Sequence, residues 1–350
     1  MRNPLSKTIE QIKPSGIRKF FDIVSEMPHA ISLGVGEPDF DTPWHVRSEG
    51  IRSLEKGRTF YTSNSGLIEL RQEICKWYQR KYNVLYDYKT EALLTVGGSE
   101  GIDVALRAML DPGDEVIIPE PCYVSYVPCV QLIGAVPVTI ELKNENQFRL
   151  TSEELLAAIT DKTKILILAF PSNPTGAVMT KEDLEPIAKI CQEKDIYVIS
   201  DEIYSELTYG GQKHCSISSL PGMKERTIVI NGFSKAYAMT GWRLGYALAP
   251  EVIAHQMTKI HQFAIMCAPT TSQYAAIEAI KNGDADIEKM CKSYDQRRRF
   301  LLKKFEEIGL PCFEPHGAFY VFPCIKEFGI TSDEFATRLL REEELAVVPG

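Results

Sequence analysis

A lysine that could carry covalent chemistry lies in residues 231–246, which read NGFSKAYAMTGWRLGY. Ser234 and Lys235 follow a short apolar segment, and Arg243 comes later between two glycines. A lysine taken alone is most often a solvated surface residue, because burying a charged group is costly. An arginine between glycines can likewise be an ordinary ion-pair partner. The other polar residues of the chain therefore decide whether this segment is a site.

Polar residues also follow several other apolar segments that we predict to be strands. They are Gly98, Ser99 and Glu100 after residues 91–96, Tyr123 after 115–119, Asn173 after 164–170, and Asp201 and Tyr204 after 196–200. Taken singly, residues 98–100 are typical of a turn with a helix cap, and Asn173 of a tight loop. Asp201 by itself is typical of an acidic helix N-cap. Ligands of doubly wound sheets bind at the carboxyl ends of strands, so we expect the whole set to lie together.

Pyridoxal phosphate is a ligand that would use all of these parts. Its aldehyde forms a reversible Schiff base with a lysine, which assigns that role to Lys235. Its ring nitrogen keeps a proton when a carboxylate faces it, and Asp201 can supply that carboxylate. The remaining contacts are hydrogen bonds to the ring hydroxyl, a phosphate site at a helix start, and a flat side chain against the ring. We predict that Tyr204 and Asn173 bind the ring hydroxyl and that Tyr123 lies against the ring. The phosphate would be bound by Gly98, Ser99, Glu100, Ser234 and Arg243.

The composition limits the class of protein. The chain has 350 residues, of which 25% are charged, and its net charge is −8. This negative charge argues against nucleic acid or an anionic membrane as the main partner, because their phosphates would be repelled. Nine scattered cysteines without a CxxC pair predict reduced thiols, a cytoplasmic location and no metal site.

The uncharged residues 121–140 have about the length of a membrane span. Pro128 and Pro137 would each break a helix there, and Gly134 is typical of a turn. We therefore predict a loop, a short helix and a strand, and no membrane partner.

Apolar runs alternate with amphipathic segments between residues 91 and 249. The predicted strands are 91–96, 115–119, 136–142, 164–170, 196–200, 227–232 and 244–249, and the predicted helices are 98–111, 152–159 and 181–194. Such Ile/Leu/Val runs indicate a mostly parallel sheet covered on both faces. Farther on we predict helices from 251 to about 308 with a break at Pro269, a strand over 317–323 and a helix over 332–345.

The predicted fold class is α/β, with a three-layer large domain built on a mostly parallel sheet, plus a smaller α+β domain. We expect residues 1–45, with a helix-like segment at 15–27, to form an N-terminal arm and part of the smaller domain. Residues 46–285 would form the large domain that binds the cofactor, and residues 286–350 the small C-terminal domain.

From about Ile31 to the C-terminus, the sequence resembles the class I and II aminotransferases, which are pyridoxal-phosphate enzymes of fold type I. The similar segments are SLGVGEPDF (32–40), YTSNSGLIELR (61–71), TVGGSEGIDVAL (95–106), PSNPTG (171–176), SDEIYSELTY (200–209), SKAYAMTGWRLG (234–245), HGAFYVFP (316–323) and AVVPG (346–350). SGIRKF (15–20) and SELTY (205–209) are similar to the bacterial subgroup of aspartate and N-acetyl-diaminopimelate aminotransferases.

The resemblance implies the cofactor contacts predicted above and adds further roles. It implies that Gly36, through its backbone, and Asn173 contact the substrate. It also implies that Tyr61 reaches the phosphate of a neighbouring subunit, and hence a homodimer with shared active sites. Taken alone, Tyr61 is equally well a core aromatic residue. In this family the arginine that clamps the substrate carboxylate lies beyond the VPG segment, so either another residue binds the carboxylate or, as we expect, a further C-terminal segment follows Gly350.

We therefore expect a pyridoxal-phosphate-dependent aminotransferase that moves an amino group from an L-amino acid to a 2-oxo acid by a ping-pong mechanism. Lys235, Asp201 and Tyr204 would be its catalytic residues, with Lys235 moving the proton. The subgroup resemblance favours aspartate, or a related dicarboxylic or diaminopimelate-type donor, with 2-oxoglutarate as acceptor. Some aspartate-specific relatives have a lysine where this chain has Ser99, which weakens aspartate as the sole substrate.

Other functions use parts of the same pattern. A pyridoxal-phosphate C–S β-lyase would need the same Asp, Tyr, Lys and Arg, and it stays as the alternative. A cofactor-sensing transcription regulator would need a basic helix-turn-helix segment, which the first 45 residues do not supply. A nicotinamide dehydrogenase is disfavoured, because the GxG at residues 34–36 runs into Glu37 and Pro38 rather than a helix.

Overall fold

The computed structural model describes residues 2–12, 27, 29–34 and 36–350, and the predicted helix over 15–27 falls almost wholly outside them. The strands are β1 (Ile31–Ser32), β2 (Ala92–Thr95), β3 (Glu115–Glu120), β4 (Val136–Glu141), β5 (Thr163–Ala169), β6 (Tyr197–Asp201), β7 (Thr227–Gly232), β8 (Gly245–Leu248) and β9 (Leu345–Ala346). Each of the seven strands predicted between residues 91 and 249 is present, with ends that differ by a residue or two.

Seven strands form the central sheet, in the order β2-β8-β7-β6-β5-β3-β4. Strand β8 runs antiparallel to both of its neighbours, and the other neighbouring pairs are parallel. Every residue of β2, β7 and β8 is buried, as expected for strands covered on both faces. The mostly parallel α/β sheet predicted from the sequence is therefore confirmed.

The helices lie mainly on the two faces of this sheet. They are α1 (Lys7–Gln11), α2 (Trp44–Glu55), α3 (Ile68–Tyr82), α4 (Gly97–Met109), α5 (Tyr126–Leu132), α6 (Ser152–Ala158), α7 (Lys181–Glu193), α8 (Glu251–Ala264), α9 (Thr270–Asn282), α10 (Asp284–Glu307) and α11 (Ser332–Glu343). Capping boxes begin α6 at Thr151 and α7 at Thr180, satisfying N–H groups that the first turn leaves open. Pro269 precedes α9, which confirms the predicted break.

Alternate strand residues face different helices. Ile230 packs in a cluster with residues of α4 and α8, whereas its neighbour Val229 packs with residues of α3 and α9. A third cluster joins β5 and β6 to α6 and α7. Because successive side chains of a strand point to opposite faces, this division gives the predicted three layers.

A second, two-stranded sheet joins β1 to β9 in parallel, with Ile31 opposite Leu345. Leu340 of α11 packs against it. The prediction of a strand over 317–323 was wrong, because the structure has only isolated bridges at Gly317 and Pro323 there. Ala318 has a φ of 55°, and this left-handed conformation interrupts an extended strand.

Residues 121–140 form a loop, helix α5, a turn at Gly134 (φ 82°) and strand β4, as predicted. Among the helices within the described ranges, none is both long and apolar enough to cross a membrane.

Candidate active site

Lys235 lies just beyond the carboxyl end of β7, with its amine inside the protein. The Nζ atom donates a hydrogen bond of 2.5 Å to the carbonyl oxygen of Gly36. It lies 5.8 Å from the ring centre of Tyr204 and 5.5 Å from that of Phe319. Burial lowers the pKa of Lys235 to about 8, and the charge of Arg243 acts in the same direction. About a tenth of this amine is therefore uncharged at pH 7, far more than for an ordinary lysine.

Asp201 is the last residue of β6, and it is buried. Its Oδ2 atom accepts a hydrogen bond of 2.7 Å from the hydroxyl of Tyr126, and Oδ1 accepts one of 3.2 Å from the N–H of Ile203. Burial raises the pKa of the Asp201 carboxyl, although both hydrogen bonds oppose the rise. The carboxylate therefore lies in a site that favours a proton or a cation beside it.

Tyr126 is a residue that the sequence analysis missed. It begins α5, three positions after Tyr123, and the two rings meet edge to face with centroids 5.6 Å apart. The signal was present in YVSY (123–126), since residues three apart at a helix start project to the same side. The structure thus adds a donor to Asp201 from the same loop that positions Tyr123.

Tyr204 is buried, and its hydroxyl lies 2.5 Å from the hydroxyl of Tyr320. Burial raises the pKa values of both phenols, that of Tyr320 to about 12. A Cβ atom on Gly36 would come within 2.6 Å of the Tyr320 hydroxyl oxygen. Tyr320, from the segment after α10, therefore joins Tyr204 to the backbone that accepts the Lys235 hydrogen bond. No function was predicted for Tyr320 from the sequence, although this residue lies in the segment HGAFYVFP.

Asn173 lies in the loop after β5, between cis peptide bonds at Pro171 and Pro174. Its side chain is partly exposed. Within the described ranges, no residue lies within hydrogen-bond distance of that side chain, which leaves its amide open to a ligand.

Arg243 lies at the N-terminus of α4. No side chain caps this helix, so its first N–H groups are open to a ligand. A Cβ on Gly97 would lie 2.6 Å from Arg243 Nη2, so the guanidinium lies directly against the start of the helix. Gly98 and the exposed Ser99 follow in the first turn, and the buried Ser234 precedes Lys235. A phosphate at this position would meet open N–H groups and a cation.

The side chain of Glu100 is engaged elsewhere. Its carboxylate accepts a hydrogen bond from the N–H of Val96, and its Oε1 lies 2.6 Å from His261 Nδ1. Its backbone N–H is therefore the part of Glu100 that remains for an anion at the helix start. Tyr61 is 80% exposed on this chain, and Phe60 beside it is equally exposed. Most of the Tyr61 side chain is therefore uncovered by this chain.

The donor set fits pyridoxal phosphate. The uncapped helix start with Arg243 suits the phosphate, and the buried carboxylate of Asp201 suits a cationic ring nitrogen. The partly neutral amine of Lys235 suits an aldehyde carbon. No group of three or more His, Cys, Asp or Glu residues suited to a metal ion occurs in the part of the chain that the structure describes.

Comparison with known proteins shows which proteins the chain is similar to in sequence and fold. The family described as "Aminotransferase class I and II" matches residues 28–350. The protein YugH of Bacillus subtilis is 52% identical over all of this chain and 90% of its own length. The aspartate aminotransferase of Pyrococcus abyssi is 46% identical, over 99% of this chain and 90% of that protein. The crystal structure of an aromatic aminotransferase from Pyrococcus horikoshii matches with a TM-score of 0.90 and 45% identity, over 95% of this chain and 89% of that one.

Proposed function

Since the chain belongs to the class I and II aminotransferases, which are pyridoxal-phosphate enzymes of fold type I, we propose how it holds its cofactor and which substrates it uses. The observation that carries the proposal is the partly buried amine of Lys235, 2.5 Å from the carbonyl of Gly36 and with a pKa lowered to about 8. A surface lysine would have neither property.

We assign the cofactor contacts as follows. Lys235 is the covalent attachment residue, Asp201 faces the ring nitrogen, and Tyr123 lies against the ring. The other proposed contacts are Tyr204 and Asn173 at the ring hydroxyl, and Gly98, Ser99, Glu100, Ser234 and Arg243 at the phosphate, with the neighbouring subunit's copy of Tyr61. When bound, the cofactor supplies an electron sink for the charge left on the substrate α-carbon.

The chain's own groups then divide the work of proton transfer. Lys235 Nζ, freed when the amino acid binds, removes the proton from the substrate α-carbon, because a near-neutral pKa suits a general base at physiological pH. Asp201 stays ionised and holds the positive charge that favours this step. Tyr204 orients the ring, and Tyr320 fixes the Tyr204 hydroxyl. The backbone of Gly36 and the amide of Asn173 contact the substrate carboxylate.

We propose aspartate, or a related dicarboxylic or diaminopimelate-type amino acid, as donor and 2-oxoglutarate as acceptor, with two half-reactions at one site. The support is the 46% identity to an aspartate aminotransferase and the subgroup motifs. Since another relative at 45% identity is an aromatic aminotransferase, aromatic donors belong in the test.

The test is a visible absorption spectrum of the protein with pyridoxal phosphate, repeated after each of a panel of L-amino acids. We expect a band from lysine-bound cofactor that aspartate-type donors bleach and that 2-oxoglutarate restores. The band should be absent from a Lys235→Ala variant. Bleaching by aromatic donors alone would refute the proposed donor class, and no band in the wild type would refute the role of Lys235.

The same assay separates the C–S β-lyase. Release of pyruvate and ammonia from cysteine conjugates without any 2-oxo acid would show elimination rather than transamination. Strict dependence on a 2-oxo acid acceptor is the result that we expect.

We further propose a homodimer whose subunits share active sites. Its support is an exposed apolar surface formed by Phe60, Tyr61 and Phe263, which are 80%, 80% and 84% exposed. The chain after Phe263 lies beside the Phe60–Tyr61 segment, because Asn64 Nδ2 donates to the carbonyl of Met266 over 2.8 Å and Thr270 Oγ1 donates to the carbonyl of Phe60 over 2.8 Å. Large exposed apolar patches mark interaction surfaces.

Subunit mixing tests this arrangement. Lys235→Ala and Tyr61→Ala subunits, each inactive alone, should regain about a quarter of wild-type activity when mixed, since half of the dimers are mixed and each has one intact site. A molar mass of one chain by light scattering, or no recovery on mixing, would refute it.

The domain boundaries near residues 45 and 285, and a cytoplasmic location, also remain proposals. The first is supported by the central sheet, whose strands fall between residues 92 and 248, and by the pairing of β1 with β9. The second is supported by nine free cysteines, since thiols stay reduced in the cytoplasm.

A further inference from the structure

Glu202, the residue after Asp201, is a fully buried carboxyl group outside the proposed cofactor contacts. Its exposed fraction is 0%. Its oxygens accept three hydrogen bonds, from the Tyr78 hydroxyl at 3.0 Å, the Ser200 hydroxyl at 3.0 Å and the Ser216 hydroxyl at 2.6 Å. Acceptance of three hydroxyl protons is the pattern of an ionised carboxylate.

The groups around Glu202 come from three elements. Helix α3 supplies Tyr78 and Tyr82, strand β6 supplies Ser200, and the segment before β7 supplies His214, Ser216 and Ser218. We define the Glu202 cluster as Glu202, Tyr78, Ser200, His214, Ser216 and Ser218. Ser218 lies 2.8 Å from the Ser216 hydroxyl and 3.1 Å from that of Tyr78, and His214 Nε2 lies 3.4 Å from Glu202 Oε2. The titratable groups Tyr86 and Cys215 also lie within electrostatic reach.

No lysine or arginine of the described residues forms an ion pair with Glu202. The basic group beside it, the His214 imidazole at 3.4 Å, is charged only when protonated, and a buried carboxylate without a permanent cation is unfavourable for stability. Its three hydroxyl donors offset part of that cost, and removal of the acceptor would leave those buried hydroxyls unpaired.

The adjacent site offers the missing positive charge. Glu202 follows Asp201 at the end of β6, and its N–H donates to the Ile230 carbonyl over 2.8 Å, which extends the β6–β7 pairing past Asp201. The side chains point to opposite faces, since Glu202 meets Tyr78 of α3 while Asp201 meets Tyr126 of α5. The groups facing Asp201 are Tyr126, the Ile203 N–H and Lys235, and the charge of Glu202 adds to the rise in the pKa of Asp201.

We propose that Glu202 is a positioning residue whose buried negative charge holds a proton at the Asp201 position. This charge favours the protonated form of the Asp201 carboxyl in the cofactor-free protein, and with cofactor bound it would favour a proton on the ring nitrogen that faces Asp201. Glu202 touches neither the cofactor nor the substrate, so it acts through Asp201. The inference rests on the proposed placement of Asp201 against the ring nitrogen.

The first experiment uses the cofactor-free protein. Selective ¹³C-carboxyl labelling of aspartate, with the Asp201 resonance identified by its loss in Asp201→Asn, gives the Asp201 pKa by NMR titration. We expect Glu202→Gln to lower that pKa by about one unit, the effect of removing one charge several ångströms away in a protein interior. The matched control Ser218→Ala removes a hydroxyl of the cluster but no charge, and it should leave the pKa within about 0.3 units of wild type.

Two outcomes overturn the proposal: an unchanged Asp201 pKa in folded Glu202→Gln, or an equal shift in Ser218→Ala, which would indicate a structural role only. Should Glu202→Gln fail to fold, Glu202→Met removes the same charge with an apolar chain of similar length, and the same criteria apply.

The second experiment uses the holoenzyme with ¹⁵N-labelled pyridine. The ring nitrogen should lose its proton at a pH about one unit lower in Glu202→Gln than in wild type. The Asp201→Asn variant distinguishes the proposed role of Asp201 from that of Glu202. If Asp201→Asn leaves the ring nitrogen unaffected, the proposed role of Asp201 fails. If Asp201→Asn has an effect and Glu202→Gln has none, only the role of Glu202 fails.

Discussion

Gly245 is where a single added methyl group would test the geometry of the candidate phosphate site. It is the first residue of β8 and pairs with Thr95 on one side and Gly232 on the other. A Cβ there would lie 2.6 Å from the carbonyl carbon of Gly97 and 2.7 Å from the nitrogen of Gly98. Both are backbone atoms in the first turn of α4, so no side chain can rotate away to relieve the clash.

The size of the effect follows from these distances. Carbon atoms pack favourably at about 3.5–4.0 Å, so the start of α4 must move by about 1 Å to accept Gly245→Ala. Overpacking of this kind typically lowers the free energy of unfolding by about 1–3 kcal/mol. Because the added methyl group meets backbone atoms, we expect a loss near the upper end of that range. Because the displaced turn carries the proposed phosphate contacts, we also expect the cofactor dissociation constant to rise about tenfold, a loss of about 1.4 kcal/mol.

The assay measures stability and binding separately. Circular dichroism of the cofactor-free protein should show the Gly245→Ala unfolding midpoint lowered by about 3–4 °C. Titration with pyridoxal phosphate, followed by quenching of tryptophan fluorescence, gives the dissociation constant. Measuring the cofactor-free protein first excludes a fall in stability that is caused only by weaker cofactor binding.

Gly241 is a matched control in the same segment. A Cβ at this position meets nothing within 4 Å, and Gly241→Ala should leave stability within about 0.5 kcal/mol of wild type. Wild-type stability and affinity in Gly245→Ala would refute the close approach of β8 to α4. Equal losses in both variants would refute the steric explanation.

Three further predictions concern titratable groups. The rate at which the cofactor-free protein reacts with pyridoxal phosphate should rise with pH around a midpoint near 8, because burial lowers the pKa of Lys235 to about 8; a stopped-flow midpoint near 10.5 would contradict this. Tyr126→Phe should raise the pKa of Asp201 further, since the lost hydrogen bond favours the carboxylate, and ¹³C NMR of the labelled carboxyl measures the change. For His45, burial lowers the pKa, but two carboxylates at 2.8 and 2.9 Å outweigh it and raise the pKa above 6.5. The stability that His45 contributes is therefore present below pH 6.5 and lost as the pH rises through the folded-state pKa. Thermal melts between pH 5 and 9 should show this fall of the unfolding midpoint in the wild type but not in His45→Gln. An equal fall in the variant would exclude His45 as its source.

Much of the fold was predictable because its signals are local. Apolar runs of four to seven residues, each followed by turn residues, predicted the strands of the central sheet from periodicity. Parallel strands bring their carboxyl ends to one edge, so the order of the elements already grouped Asp201, Tyr204 and Lys235. The structure brings these three residues together at that edge.

The prediction of a strand over 317–323 failed for a non-local reason. The residues have the composition of a strand, yet Gly317 packs so closely on Pro171 that a Cβ would lie 2.4 Å away. Ala318 then adopts a left-handed backbone conformation. A contact with a loop about 146 positions earlier overrode the local preference, as packing commonly does for β propensity.

The sequence by itself determined which residues could carry the chemistry: the lysine, the carboxylate, the phenol and the glycine-rich helix start, each recognisable from its type and position after a strand. Only the tertiary structure decided which groups surround them. Tyr126 donates to Asp201 across 75 positions, Tyr78 to Glu202 across 124, and Lys235 to Gly36 across 199. These partners come from elements whose relative placement depends on sheet order and helix packing, and no periodicity within a segment encodes that placement.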